Sequence, residues 1–197
     1  MDSQEPCCLV WNPSDCSGTS ACPPRCPRFV DTKGEGILIR PVRDDARERL
    51  FEFYAAYPDA HRSMLLPPRD RAALERWLDR LLDRGQNLLA VQDDRLVGHA
   101  LYSPREATES ELLVFVDPEY HGRGIGTELC KQVLARAAAN CHETIVLRVG
   151  KENRAARRVY RRLGFCPVDE HPDNIEMRLA LESELVTRVQ APPAERA

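Results

Sequence analysis

No stretch of this 197-residue chain stays apolar for the ~18 residues that a membrane-spanning helix requires. Basic charge is not in excess either. Lys and Arg total 28 against 31 Asp and Glu, and a net charge of −3 gives no global attraction to nucleic acid or an anionic membrane surface. The first residues lack a basic n-region and an apolar h-region, so no secretory signal is read and the cytoplasm is the expected location. Lysine is confined to Lys33, Lys131 and Lys151, and arginine supplies the rest of the basic charge. Hydrophobic content is somewhat low at 43%, as a polar tail would make it. The length suits one domain with an appendage.

Of the eight cysteines, Cys7, Cys8, Cys16, Cys22 and Cys26 crowd the first segment. No histidine lies beside them and no C-x-x-C spacing occurs, so a zinc knot is disfavoured. An odd number also fits a self-contained disulfide framework badly. Residues 1–34 therefore read as a disordered Pro/Cys-rich extension that adds little to a core. Cys130, Cys141 and Cys166 read as small buried side chains rather than nucleophiles.

Ile37–Arg43 is expected to form a first strand. Asp44 or Asp45 should cap a helix to about Tyr57, where Pro58 stops it. A second helix, about 70–84, would bury Leu74, Trp77, Leu78, Leu81 and Leu82, with Gly85 supplying a left-handed end. Leu88–Gln92 and Leu96–Tyr102 make a hairpin about Asp93-Asp94. The apolar run Leu112–Val116 is a strand covered on both faces. A helix to about Ala139, a strand Thr144–Val149, a helix Glu152–Leu163 and a strand Ile175–Leu181 follow, with one more short strand around Cys166–Asp169. The fold class is thus α/β, a mixed sheet of six or seven strands flanked by four helices over residues 35–182, with 183–197 a loose tail.

Two segments carry the chemistry. In His121-Gly-Arg-Gly-Ile-Gly126 the glycines let the backbone come close and take positive φ, and the helix that follows begins with unpaired N–H groups and a partial positive charge. Such a turn suits a phosphate group. A dinucleotide fingerprint is a poor rival, since Thr127 stands where its third glycine should be and no acidic residue ends the next strand. No P-loop lysine is present. The second segment is a helix on which Asn153, Ala156, Tyr160 and Gly164 fall within about 80° of one another, forming one stripe.

Together, in this order, the two segments resemble the acyl-CoA-binding core of the GNAT superfamily of N-acyltransferases. The family pattern is Gln or Arg, two residues, then Gly-x-Gly or Gly-x-Ala. Gly124 and Gly126 match, while His121 takes the Gln/Arg position. The resemblance implies acetyl-CoA as co-substrate, no metal, and a cofactor site of Phe115, Val116, His121, Gly122, Arg123, Gly124, Ile125, Gly126, Thr127, Asn153 and Ala156. It makes Tyr160 the general acid for the departing thiolate, since a phenol stays protonated at neutral pH. For the general base the candidates are Glu111, Glu109 and His99. One or two of Arg154, Arg157, Arg158, Arg161 and Arg162 would reach the 3′-phosphate if they are not merely a solvated face. An amine acceptor would enter between the loops 58–68 and 169–173. Ribosomal-protein N-terminal acetyltransferases usually carry Glu five residues before the motif Asn, where this chain has Arg148. The implied activity is acetyl transfer to a primary amine of a small molecule or peptide. A non-catalytic acyl-CoA sensor of the same fold is the alternative, and neither reading sets an oligomeric state.

Overall fold

The computed structural model describes residues 14–43, 46–59 and 67–195, so the candidate caps Asp44 and Asp45, and the first two clustered cysteines, lie outside the described residues. Eight strands of the described residues form one sheet: β1 (Arg28–Val30), β2 (Gly36–Pro41), β3 (Gln86–Gln92), β4 (Arg95–Ser103), β5 (Glu109–Val116), β6 (Thr144–Gly150), β7 (Cys166–Glu170) and β8 (Asn174–Ala180). Among the described residues five helices pack with it: α1 (Ala46–Ala55), α2 (Arg71–Arg84), α3 (Ile125–Ala139), α4 (Arg154–Arg162) and α5 (Glu184–Gln190). The spatial order is β1-β2-β3-β4-β5-β6-β8-β7, and every neighbouring pair is antiparallel except β5 with β6. That exception follows from connectivity, because α3 links the two strands and returns the chain to the end where β5 began.

The expected hairpin is present. Asp93 and Asp94 both take positive φ, 44° and 64°, as a tight turn between right-twisted strands requires. Helix α2 is capped by Asp70, whose carboxylate accepts from Ala73 N at 2.8 Å, and it buries Leu74, Trp77, Leu78 and Leu81. Gly85 ends it for a different reason from the one expected. Its φ is −100°, extended rather than left-handed, and its N–H donates to Leu81 O. A Cβ there would lie 2.7 Å from Leu81 O and 2.9 Å from Leu101 Cδ1, so close approach excludes a side chain.

One face of the sheet packs on α3 and α5 through residues such as Leu129, Val133, Leu147 and Val186. The opposite face packs on α1 and α2 through Leu50, Tyr54, Trp77 and Leu101. Between the two halves of the sheet the ladder opens. β5 and β6 share register only at Glu109–Glu111 with Thr144–Val146, after which β5 runs on to Val116 and β6 to Gly150 without pairing.

The two end segments differ from expectation. Residues 14–34 are packed: β1 adds to β2, and the buried Arg25 grips Glu128 of α3 through Nε at 2.6 Å and Nη2 at 2.8 Å, while Nη1 donates to Val189 O of α5. Gln132 Nε2 donates to Cys26 O at 2.6 Å. Nor are residues 183–195 loose, since Ser183 caps α5, which buries Val186 and Val189. The extra strand and helix come from these two segments. The segment around β1 was illegible because it is held by polar pairs between residues far apart in the chain, which leave no local apolar period, whereas the Ser183 cap and the Val186 and Val189 spacing of α5 are local signals. Of the three later cysteines only Cys130 is buried, whereas Cys141 and Cys166 are exposed.

Candidate functional site

A cleft of ≈ 890 Å³ opens where β5 and β6 part, bounded by the glycine turn on one side and α4 on the other. Gly122 and Gly124 hold φ of 75° and 86°, in the left-handed region where a Cβ is costly. Gly124 is the N-cap of α3 and offers no side-chain cap. From Gly122 to Thr127 none of the backbone N–H groups donates to a backbone carbonyl among the described residues. This run of donors, at the positive end of a 15-residue helix, faces a cleft lined by Gly122, Gly124, Ile125, Gly126 and Thr127.

The strand beside it supplies further backbone groups. Asp117 N donates to Val97 O at 2.9 Å, so the odd-numbered residues at this end of β5 turn their N–H and C=O toward β4. The even-numbered Val114 and Val116 therefore point theirs into the wedge, where β6 has departed. Val116 O accepts from Tyr57 Oη at 3.1 Å and lies 3.0 Å from His121 Nε2. Tyr57, on the turn leaving α1, was not anticipated. Only its place after the helix could have flagged it, because its role depends on a strand about sixty residues away.

On α4, Asn153 is the N-cap, its Oδ1 accepting from Ala156 N at 3.0 Å. Its amide NH₂ is left as the donor available to the cleft. Ala156, Arg158, Tyr160 and Arg162 also line the cleft. The Tyr160 ring is almost fully buried, and desolvation, with a smaller contribution from Cys130, raises its hydroxyl well above the ordinary phenol range. Burial also pushes the Cys130 thiol up to about 12, so it is not poised as a nucleophile.

Three predicted residues sit elsewhere. Arg123 is turned away from the cleft and buried against Asp31 and Gln92. Glu109 and Glu111 lie at the paired end of β5, bridged to Arg178 at 3.0 Å and Arg148 at 3.4 Å, and neither lines the cleft. Arg148 also reaches Glu176 at 3.3 Å, which gives the arginine at that position a structural partner.

His99 is a core residue. Asn87 Nδ2 donates to both Leu81 O and Gly85 O at 2.8 Å, so Asn87 Oδ1 must accept from His99 Nε2, 3.0 Å away. His99 Nδ1 then accepts the Tyr54 hydroxyl at 2.5 Å. The ring is neutral and fully enclosed, and desolvation lowers its pKa to about 3. Between that value and the ordinary ~6.5 the unfolded chain binds a proton that the folded protein refuses. Stability should therefore fall as the pH drops below ~6.5, by about 2 kcal/mol between pH 7 and pH 5. Urea midpoints at the two pH values check this. A His99→Gln variant should lose most of the difference, and an equal pH slope in both proteins would rule the histidine out as its source.

Of the loops expected to flank an acceptor, residues 60–66 lie outside the described residues. In the other, Asp169 is 3.6 Å from His171 and Glu170 is 3.0 Å from Lys151, so two of its three acids already have partners.

A mixed sheet thus opens at its parallel pair, with a glycine turn on one side of the opening and α4 on the other. The model of the Acetyltransferase (GNAT) family matches residues 47–165, and the chain belongs to that family. Among solved structures, the GNAT domain of S. lividans PAT superposes with a TM-score of 0.68 at 18% identity, covering 78% of this chain and 95% of that one. The yncA protein of Salmonella typhimurium, solved with its cofactor acetyl-CoA, gives 0.62 at 18% identity and covers 75% and 95%. Over 52 residues the chain is 44% identical to an uncharacterized N-acetyltransferase of Methanocaldococcus jannaschii, 26% of this chain and 23% of that protein. The first three curated relatives are matched over only about a quarter of their own length.

Proposed function

We propose that this chain transfers the acetyl group of acetyl-CoA to a primary amine of a small molecule or peptide by direct attack, without metal or covalent intermediate. The observation that carries the reading is the convergence, in one cleft, of the unpaired N–H row of the glycine turn, the open edge of β5 and the buried Tyr160 hydroxyl. The neighbour with acetyl-CoA supports the choice of cofactor.

The turn and the N-terminus of α3 hold the pyrophosphate. The open edge of β5 and the Asn153 amide hydrogen-bond the pantetheine arm, and Arg158 or Arg162 approaches the 3′-phosphate. A neutral amine adds to the thioester carbonyl carbon, and the negative charge that develops on its oxygen is met by a backbone N–H at the end of β5, that of Val116. As the C–S bond breaks, the electron pair goes to sulfur and Tyr160 donates its proton. A desolvated phenol remains protonated, and the same dry surroundings raise the proton affinity of the departing thiolate. The amine's proton leaves through water to a base. Glu111, bridged to Arg148 at the paired end of β5 and outside the cleft lining, is not placed to be that base.

Thermal shift with acetyl-CoA, CoA and NADPH, together with free-thiol release against a panel of amines and peptides, tests the proposal. Stabilisation by the two CoA species and thiol release with one acceptor class is the expected result. Stabilisation with no release from any acceptor would favour an acyl-CoA sensor, and none with CoA would overturn both readings.

A further inference from the structure

The segment before β2 lies against the back of the glycine turn, and it uses buried charge to do so. The Asp31 carboxylate accepts from Lys33 N at 2.8 Å and Glu35 N at 3.0 Å, which closes a tight loop, and it takes Nε of Arg123 on its second oxygen. The two side chains are 0% and 9% exposed. Arg123 Nη2 continues to Gln92 Oε1 at 3.1 Å, and the guanidinium lies over the Tyr120 ring with its carbon 4.5 Å from the centroid.

The next residue acts on the turn's own peptides. Thr32 N donates to Arg123 O at 3.3 Å, and Thr32 Oγ1 to Gly122 O at 3.5 Å. In a planar trans peptide the N–H points opposite to the C=O. Holding the carbonyls of Gly122 and Arg123 toward Thr32 therefore turns the N–H groups of Arg123 and Gly124 the other way, away from Thr32. Phe29 of β1 closes the back, since a Cβ on Gly124 would stand 3.2 Å from its Cζ.

From this geometry we infer that Asp31 and Thr32, outside the segment matched to the family, are positioning residues that pre-orient the phosphate-binding N–H groups through Arg123. The inference rests on the coenzyme reading of the turn. Pre-orientation matters because a glycine turn left to itself samples both signs of φ, and ordering it on binding costs affinity. The arginine of the glycine motif thus acts as a tether from behind rather than as a phosphate ligand.

The effect should be confined to the part of the cofactor that carries phosphate. Isothermal titration of wild type and Asp31→Asn with CoA should show the dissociation constant rising about tenfold in the variant, as a looser loop predicts. S-acetylpantetheine, which has no pyrophosphate, should bind both proteins equally when titrated by ligand-observed NMR. Arg123→Lys, which keeps the charge but loses the fork to Gln92, should behave in the same way, and it decides the matter if Asp31→Asn does not fold. CoA affinity within twofold of wild type in the folded variant, or an equal loss for S-acetylpantetheine, would overturn the inference. A wild type that does not bind CoA would instead overturn the coenzyme reading, which separates the two failures.

Discussion

Replacing Tyr160 with Phe should lower kcat by roughly 10²- to 10⁴-fold while leaving the dissociation constant of CoA within about twofold. The substitution removes one oxygen from a ring packed at 5.8 Å from Phe165, within a core that also holds Leu163 and Met177. Its cost to folding is accordingly small, and only the hydroxyl is lost. Steady-state rates with the acceptor found by thiol release, set beside titration with CoA, separate the two quantities. The pH profile is the finer test. Burial raises the Tyr160 hydroxyl, so wild-type activity should show no fall through the ordinary phenol range near pH 10 from this group. A variant as fast as wild type would remove Tyr160 from the mechanism and require another donor in the cleft.

An equally large effect, on binding this time, is expected from Gly126→Asp. A Cβ at this position would lie 3.5 Å from Val116 Cγ2, an ordinary contact, and Gly126 sits in the first turn of α3 with its surface on the cleft. The new carboxylate should be neutral or slightly favourable for the fold, because an acid at a helix N-terminus contributes about 0.3–1 kcal/mol. Toward a pyrophosphate it is repulsive. At ~5 Å and an effective dielectric of ~20 each unit of phosphate charge costs about 3 kcal/mol, a hundredfold or more in affinity. The expected result is loss of CoA binding by at least that factor with an unchanged or slightly higher melting temperature. Gly126→Asn, nearly the same shape without the charge, should lose far less. Equal affinities for the Asp and Asn proteins would show that the phosphates lie elsewhere.

Much of the fold could be read directly because local rules decide it. The apolar run Leu112–Val116, the Asp93-Asp94 hairpin and the Leu74–Leu81 face of α2 each follow from burial period or turn chemistry within a few residues. The glycine turn and the Asn153, Ala156, Tyr160 stripe were legible for the same reason, since positive φ and helical spacing are written in consecutive positions. His99 was misjudged. A histidine on a strand next to the glycine motif has the composition of a base, and only its enclosure by Tyr54 and Asn87 makes it a neutral core group. Arg123 shows the same limit from the other side. Its place between two glycines suggests a phosphate ligand, but Asp31, 92 residues earlier in the chain, takes the guanidinium inward.

The amino-acid order was therefore sufficient for the α/β class, the succession of elements from β2 to β8, the glycine turn and the tyrosine placed one helix face away. Each depends on bond geometry and side-chain period over short distances. The opening between β5 and β6, the packing of residues 14–34 behind the turn, the capture of Val116 O by Tyr57 and the pairing of Glu111 with Arg148 came only with the folded chain. These join residues dozens of positions apart, and a polar side chain chooses its partner by what burial brings within hydrogen-bond reach, which no sequence interval records.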